Sequence, residues 1–382
     1  KISFYMGIDP TAPSMHVGHF SSLMLFKRLI DNGHKGILFF GGATSYIGDP
    51  SGKDSMRKLL SRNQIDLNVE SLLLQAKKVI GDNFEFANNF DWTKDMTYLD
   101  FLRDIGPFFN VNKMLNSDCY ANRIEKGGLS FLELGYMPLQ AYDFYYLKKT
   151  KNCTLQIGGS DQWANILAGV ELNRRKSFEE GIKQEELFGL TMPLLLTSEG
   201  GKMGKSEKGA IWLDENLTSI YDFYQYFYNV DDRDVEKLLL LFTNFKIEQI
   251  KEMINQNIVE AKKIMTYEIT KLVHGEEKAK NVKKASEELF NNLNAKTDIP
   301  TTHFPYKKIK KGINIVNFLV EVGFLTSKSE SIRLLKQNGL SINDKKQNDS
   351  NLIIDETFIE KNEYILLKKG KKTFLKVKIT TN

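Results

Sequence analysis

The chain has 382 residues, 41% of them hydrophobic and 26% charged, and a formal net charge of +5. That length buries a large core and divides into two or three domains, and no apolar run approaches the roughly 20 residues that a membrane-crossing helix needs. Two cysteines, Cys119 and Cys153, make neither a disulfide framework nor a metal cluster, as expected in a reducing compartment.

Residues 2–8 are apolar and β-prone, and the prolines at Pro10 and Pro13 prevent the strand from continuing. Leu23, Phe26, Leu29 and Ile30 then recur at helical spacing. His16 and His19 therefore fall at or just before a helix N-terminus, where free N–H groups and the dipole favour an anion. Gly18 lets a ligand approach the backbone, and two imidazoles donate to phosphate oxygens without a permanent charge. Taken alone, the pattern also describes an ordinary helix start.

Apolar runs at 37–40 and 155–157 read as buried strands, and glycine turns follow both. The rhythm of strand, glycine turn and helix over residues 1–215 predicts an α/β fold with a doubly wound parallel sheet, whose ligands gather at the strand carboxyl ends. Asp49 closes the next turn. Lys53 and Arg57 follow four apart, on one face if a helix starts there, or else on a solvated basic helix. The aromatic pair Phe108 and Phe109 suits core or a subunit interface, and so does Phe131.

Tyr136, Gln140 and Asp143 are spaced i, i+4, i+7 on one helix face, where a core helix would carry Leu or Val. A buried phenol, amide and carboxylate need partners, which an amino-acid substrate can supply; a solvated face has the same pattern. At 155–163, Gly158 and Gly159 admit a ribose and Asp161 can accept from its hydroxyls. Residues 197–206 are polar, glycine-rich and basic; such a loop closes on a triphosphate, with Lys202 and Lys205 as point charges.

Residues 216–295 read as helices, and 296–312, with Pro300, Pro305 and a lysine run, as a linker. Residues 313–382 give two short helices and then strands. The stretch 310–382 holds 14 Lys and Arg against 8 Asp and Glu, whereas the rest of the chain holds 39 against 40. A basic end on a near-neutral body is the footprint of a polyanion-binding module, although a solvated Lys-rich tail has the same composition. Lys328, Arg333, Lys336 and the run 368–372 are candidate phosphate contacts.

His16, Gly18 and His19, taken with Lys202, Met203, Gly204, Lys205 and Ser206, resemble the HIGH and KMSKS signatures of class I aminoacyl-tRNA synthetases. Their order, separation and surroundings resemble the bacterial-type tyrosyl-tRNA synthetases over nearly the whole chain. The resemblance implies a Rossmann-like catalytic domain at 1–215, an α-helical tRNA-contacting domain at 216–295, a linker at 296–312, and a small α+β RNA-binding domain at 313–382 like ribosomal protein S-four. It implies activation of L-tyrosine by ATP, then transfer to tRNA(Tyr), in a homodimer with no membrane attachment.

By the same resemblance, L-tyrosine contacts are Tyr5, Asp49, Tyr136, Gln140, Asp143 and Gln156. ATP contacts are Gly7, Asp9, His16, Gly18, His19, Gly159, Asp161, Gln162 and Lys205. Residues acting on the transition state are Thr11, His16, His19, Lys53, Arg57, Lys202, Lys205 and Ser206. Mg²⁺ is expected on the ATP phosphates, with no metal held by the protein. Asn112 is implied near the nucleotide, and Phe131 at the subunit two-fold axis.

Three features depart from the family. Ser206 stands where relatives often carry Thr. Met6 replaces a frequent Cys, and a thioether cannot donate to a ribose. The helical segment that relatives carry before the first strand is missing, so the sequence reads as trimmed; the expected location is the cytoplasm, or an organelle if a targeting segment preceded it. A tryptophanyl-type synthetase shares the scaffold, but Tyr5 and Asp143 favour a phenol. A small-molecule nucleotidyltransferase would not need the basic C-terminal region, and a non-catalytic RNA-binding descendant would be expected to lose the tyrosine pocket.

Overall fold

A computed structural model describes residues 1–51, 59–181, 186–206, 209–291, 299–343, 345–360, 363–370 and 373–380. Lys53, Arg57, Lys371 and Lys372 lie outside the described residues, as does the side chain of Ser206. The chain forms two compact units, residues 1–214 with 237–244, and residues 215–236 with 245–382.

The first unit is built on five strands, β1 (Ser3–Ile8), β2 (Lys35–Phe40), β3 (Glu85–Asn88), β4 (Leu155–Gly159) and β5 (Phe188–Met192). They lie in the order β3-β2-β1-β4-β5, and every pairing is parallel. β2 is buried along Gly36–Phe40, which explains why its apolar run does not alternate. The crossovers wind one way to β2 and β3, and the other way to β4 and β5, so the switch point falls between β1 and β4. That crevice is the expected ligand site of an open parallel sheet.

Four helices matter to the site: α1 (Val17–Asp31), α2 (Arg62–Ile80), α3 (Tyr136–Lys151) and α4 (Trp163–Glu179). Successive side chains of β1 face opposite ways. Phe4 meets Phe26 of α1 edge-on at 5.0 Å, whereas Tyr5 meets Phe144 of α3 at 5.3 Å. Helices therefore cover both faces of the sheet. Most of the helix Val235–Phe242, from Lys237 on, belongs to this first unit, because Phe242 stacks on Phe20 of α1 at 4.4 Å and Arg28 donates to the carbonyls of Leu241 and Thr243. The sequence reading placed these residues with the helical region instead.

The second unit carries the sheet Thr301–Pro305, Leu340–Ile342, Lys345–Gln347, Tyr364–Lys369 and Thr373–Thr380. Thr301–Pro305 pairs in parallel with Thr373–Thr380, and the helix Tyr306–Lys310 follows it, so most of the stretch read as a linker at 296–312 is regular structure. Nor does the helical region close a core of its own. Tyr221, Tyr224 and Val282 share one cluster with Ile299, Tyr364, Leu366 and Phe374. Among the described residues no helix is long and apolar enough to cross a membrane.

Candidate active site

A cavity of about 1010 Å³ opens at the carboxyl ends of β1 and β4. Seventeen of the candidate residues line it: Tyr5, Gly7, Asp9, Thr11, His16, Gly18, His19, Asp49, Tyr136, Gln140, Asp143, Gln156, Gly159, Asp161, Gln162, Lys202 and Lys205. Met6 and Lys126 line it too. Asn112 is exposed and is not part of the wall, and Phe131 is 75% exposed, so neither the nucleotide contact at Asn112 nor the reading of Phe131 as internal core is met.

His16 is the N-cap of α1, and its Nδ1 accepts from Gly18 N at 3.0 Å and His19 N at 3.4 Å. In the neutral ring the proton therefore sits on Nε2. His19 lies in the first turn and stacks on His16 at 4.0 Å with a 12° tilt. Any side chain at position 18 would start with a Cβ 2.8 Å from the His16 ring.

The lysine-bearing loop is tied to the same helix end. Val17 N donates to Ile211 O at 3.2 Å, and Ile211 N donates to Gly204 O at 2.8 Å. His16 also bridges to Trp212. Gly204 has φ +87°, and a Cβ there would sit 2.8 Å from Val17 Cβ, so glycine alone permits this approach. Two segments almost two hundred residues apart thus form one wall.

Deeper in, three buried polar atoms have no hydrogen-bond partner: Tyr5 Oη, Gln140 Oε1 and Gln156 Oε1. Tyr5 and Gln156 are register neighbours across β1 and β4, at the switch point itself. Burial, reinforced by Asp143 and Cys153, raises the Tyr5 phenol well above its ordinary range, so it stays a donor. Asp143 is also fully buried. Burial raises its carboxyl to about 8, against the lowering effect of Asn89 Nδ2, donating at 3.0 Å, and Trp92 Nε1, also at 3.0 Å. Asp9 accepts from Thr44 Oγ1 at 2.9 Å and from Tyr136 Oη at 2.9 Å. Asp49 accepts from Ser51 N at 2.8 Å and from Gln162 Nε2 at 2.6 Å.

Thr44, Asn89 and Trp92 were missed in the sequence. Asn89 directly follows β3, so the rule that ligands gather at strand carboxyl ends could have found it. Thr44 and Trp92 carry no comparable signal.

Such an arrangement can bind a zwitterion with a hydroxyl at its far end, beside a polyphosphate at a helix N-terminus. Comparison with known proteins bears on which one. Residues 1–291 match the family described as tRNA synthetases class I (W and Y), and residues 293–377 match the Tyrosine–tRNA ligase SYY-like C-terminal domain. The tyrosine–tRNA ligase of Clostridium kluyveri is 46% identical over 383 residues, covering 99% of this chain and 92% of that protein. That of Treponema denticola is 44% identical over 380 residues, with the same coverage. Among solved structures, a C-terminally truncated mitochondrial tyrosyl-tRNA synthetase of Aspergillus nidulans is similar with a TM-score of 0.66 and 33% identity, covering 76% of this chain and 86% of that one.

Proposed function

The chain belongs to the class I tRNA synthetases of the tryptophan and tyrosine branch, within it to the tyrosine–tRNA ligases, and from this premise we infer how its own residues carry the reaction. L-Tyrosine and ATP give tyrosyl-adenylate and pyrophosphate, and the tyrosyl group then passes to the terminal ribose of tRNA(Tyr). The observation that carries the reading is the meeting of His16, His19, Lys202 and Lys205 over a cavity whose deep end holds three unpaired polar atoms.

In the proposed pose the substrate phenol lies between Tyr5 and Asp143. Its α-ammonium faces Asp49, Tyr136 and Gln140, and Gln156 lines the pocket beside it. A site with such polar groups rejects an amino acid that lacks the hydroxyl, because they would stay buried and unpaired; the tyrosyl enzyme is the standard illustration of that rule. The carboxylate is ionised at neutral pH and needs no general base. Its oxygen attacks the α-phosphorus in line, and the bond to the bridging oxygen of pyrophosphate breaks. His16 Nε2–H, Thr11, Lys202, Lys205 and Ser206 stabilise the charge growing on phosphate oxygens, with Lys53 and Arg57 toward the leaving pyrophosphate. Gly7, Gly18, His19, Gly159, Asp161 and Gln162 position the nucleotide, and Asp9 acts from behind, holding Tyr136.

Mg²⁺ belongs to the nucleotide in this reading. Asp9, Asp49 and Asp143 already accept bonds from the chain, which fits a metal carried by phosphate oxygens. When bound, it would neutralise charge on the leaving group. A ribose hydroxyl of tRNA then attacks the adenylate carbonyl and AMP leaves. Exposed Leu99, Val111, Ile124, Phe131 and Leu132 in the first unit support a homodimer. Full-length similarity to the tyrosine–tRNA ligases of two bacteria supports the cytoplasm as its location.

Tyrosine-dependent exchange of labelled pyrophosphate into ATP tests the reading. Exchange with tyrosine and little with tryptophan or phenylalanine is expected; exchange that prefers tryptophan, or none, overturns it.

A further inference from the structure

We propose that Asn165 is a positioning residue that sets the polarity of an amide relay and so presents Gln140 Oε1 to the α-ammonium of the amino acid; this rests on the tyrosine-activation reading above.

The relay is anchored at Asp49, because an ionised carboxylate can only accept. Gln162 Nε2 donates to Asp49 Oδ2 at 2.6 Å, so Gln162 Oε1 must face away from it. There it accepts from two amides, Asn165 Nδ2 at 3.2 Å and Gln140 Nε2 at 3.3 Å. With its nitrogen committed, Gln140 turns its oxygen the other way, and that oxygen is buried with no partner in the chain. A buried acceptor left open costs free energy unless a ligand fills it, and an ammonium is the matching donor.

Asn165 closes the circuit from outside the cavity wall. It is 2% exposed and absent from the lining, one turn along from Gln162, in the first turn of α4. Its Nδ2 also donates to Ser51 Oγ at 3.4 Å, and Ser51 N donates to Asp49 Oδ1 at 2.8 Å. Asp49 and Gln162 are thus clamped from behind by one buried amide. Without it, Gln162 Oε1 keeps Gln140 alone as a donor, and nothing beyond Asp49 holds the amide plane that orients Gln140.

The test separates lost polarity from lost packing. Asn165→Leu keeps the branched shape and removes the donor; Asn165→Ala removes both. Dissociation constants are measured by calorimetry for L-tyrosine and for 3-(4-hydroxyphenyl)propionate, which lacks the ammonium. Both variants are expected to weaken L-tyrosine about tenfold while the deaminated analogue stays within about twofold of the unsubstituted protein. Equal losses for the two ligands, or unchanged tyrosine affinity, overturn the proposal. Should Asn165→Leu fail to fold, Asn165→Ala gives the same comparison. Pyrophosphate exchange by the unsubstituted protein is read separately, so a failure of the tyrosine reading is distinguishable from a failure of the relay.

Discussion

At the switch point of the parallel sheet, Tyr5 Oη, Gln140 Oε1 and Gln156 Oε1 are buried and unpaired, beside a carboxyl that burial has raised to about 8. The C-terminal sheet is built the other way. Its core is Phe304, Ile315, Phe318, Leu319, Leu335, Ile342, Ile365 and Val377, and its ion pairs, Lys308 with Glu321 at 2.6 Å and Lys369 with Glu330 at 3.0 Å, lie outside that core. None of its described side-chain atoms is buried without a partner. A concave site for a small polar molecule holds its polar atoms open until the ligand arrives. A surface for a polyanion needs only charges on a closed core.

The widest break between the two comes from the closed core. Phe318 is fully buried, and Phe318→Ala should cost about 3–5 kcal/mol by leaving a cavity. Unfolding followed by circular dichroism should show an early transition, and tRNA charging should fall with it. Pyrophosphate exchange should stay within about twofold, because the proposed activation site lies in the first unit. Exchange that falls in step with charging would mean that the two regions do not divide the work.

Lys205→Ala attacks the other region. It should slow exchange about 10²–10³-fold and leave the dissociation constant for tyrosine almost unchanged, as expected for a charge that acts on the transition state. Unchanged exchange would remove Lys205 from the mechanism.

The contrast also explains what the sequence reveals. Local rules reach the first region well: the apolar run of β2, the polar face of α3 and the capping position of His16 follow from neighbours a few residues away. Supporting residues escape such rules. Asn89 and Trp92 act on Asp143 across 54 and 51 residues; the end of β3 marks the place of Asn89, and nothing near Trp92 in the chain announces its role. Thr301–Pro305, flanked by prolines, has one buried apolar side chain, Phe304, and becomes a strand only because Thr373–Thr380 offers it an edge. The helix Val235–Phe242 is apolar enough to join either unit, and the stacking of Phe242 on Phe20 decides it. Family resemblance carries the rest of the site, residue by residue.

A smaller effect tests the raised carboxyl. Burial lifts Asp143 to about 8, so the fold keeps a proton that an unfolded chain loses near 3.8. Its contribution to stability is present at low pH and fades as pH rises through that window. Binding moves the opposite way. If the substrate phenol donates to the ionised carboxylate, affinity for L-tyrosine should rise about eightfold between pH 7 and pH 8.5, following the ionised fraction. Phenylalanine, with the same α-amino group and no hydroxyl, should show no such rise. A flat profile for tyrosine would mean that the protonated acid serves equally well.

The smallest effects belong to the lysine-rich surface, and they sharpen the comparison there. Arg333 is exposed on the helix Lys328–Lys336, whereas Lys369 is half-buried and paired with Glu330. A charge still free to displace counterions contributes to tRNA affinity; one already neutralised contributes little. Arg333→Ala should therefore weaken tRNA about fivefold near physiological salt and lower the slope of log K against log salt by about 1. Lys369→Ala should leave the slope where it is. If Lys369 matters as much as Arg333, then tRNA breaks the Glu330 pair on binding, and the C-terminal surface rearranges for its ligand.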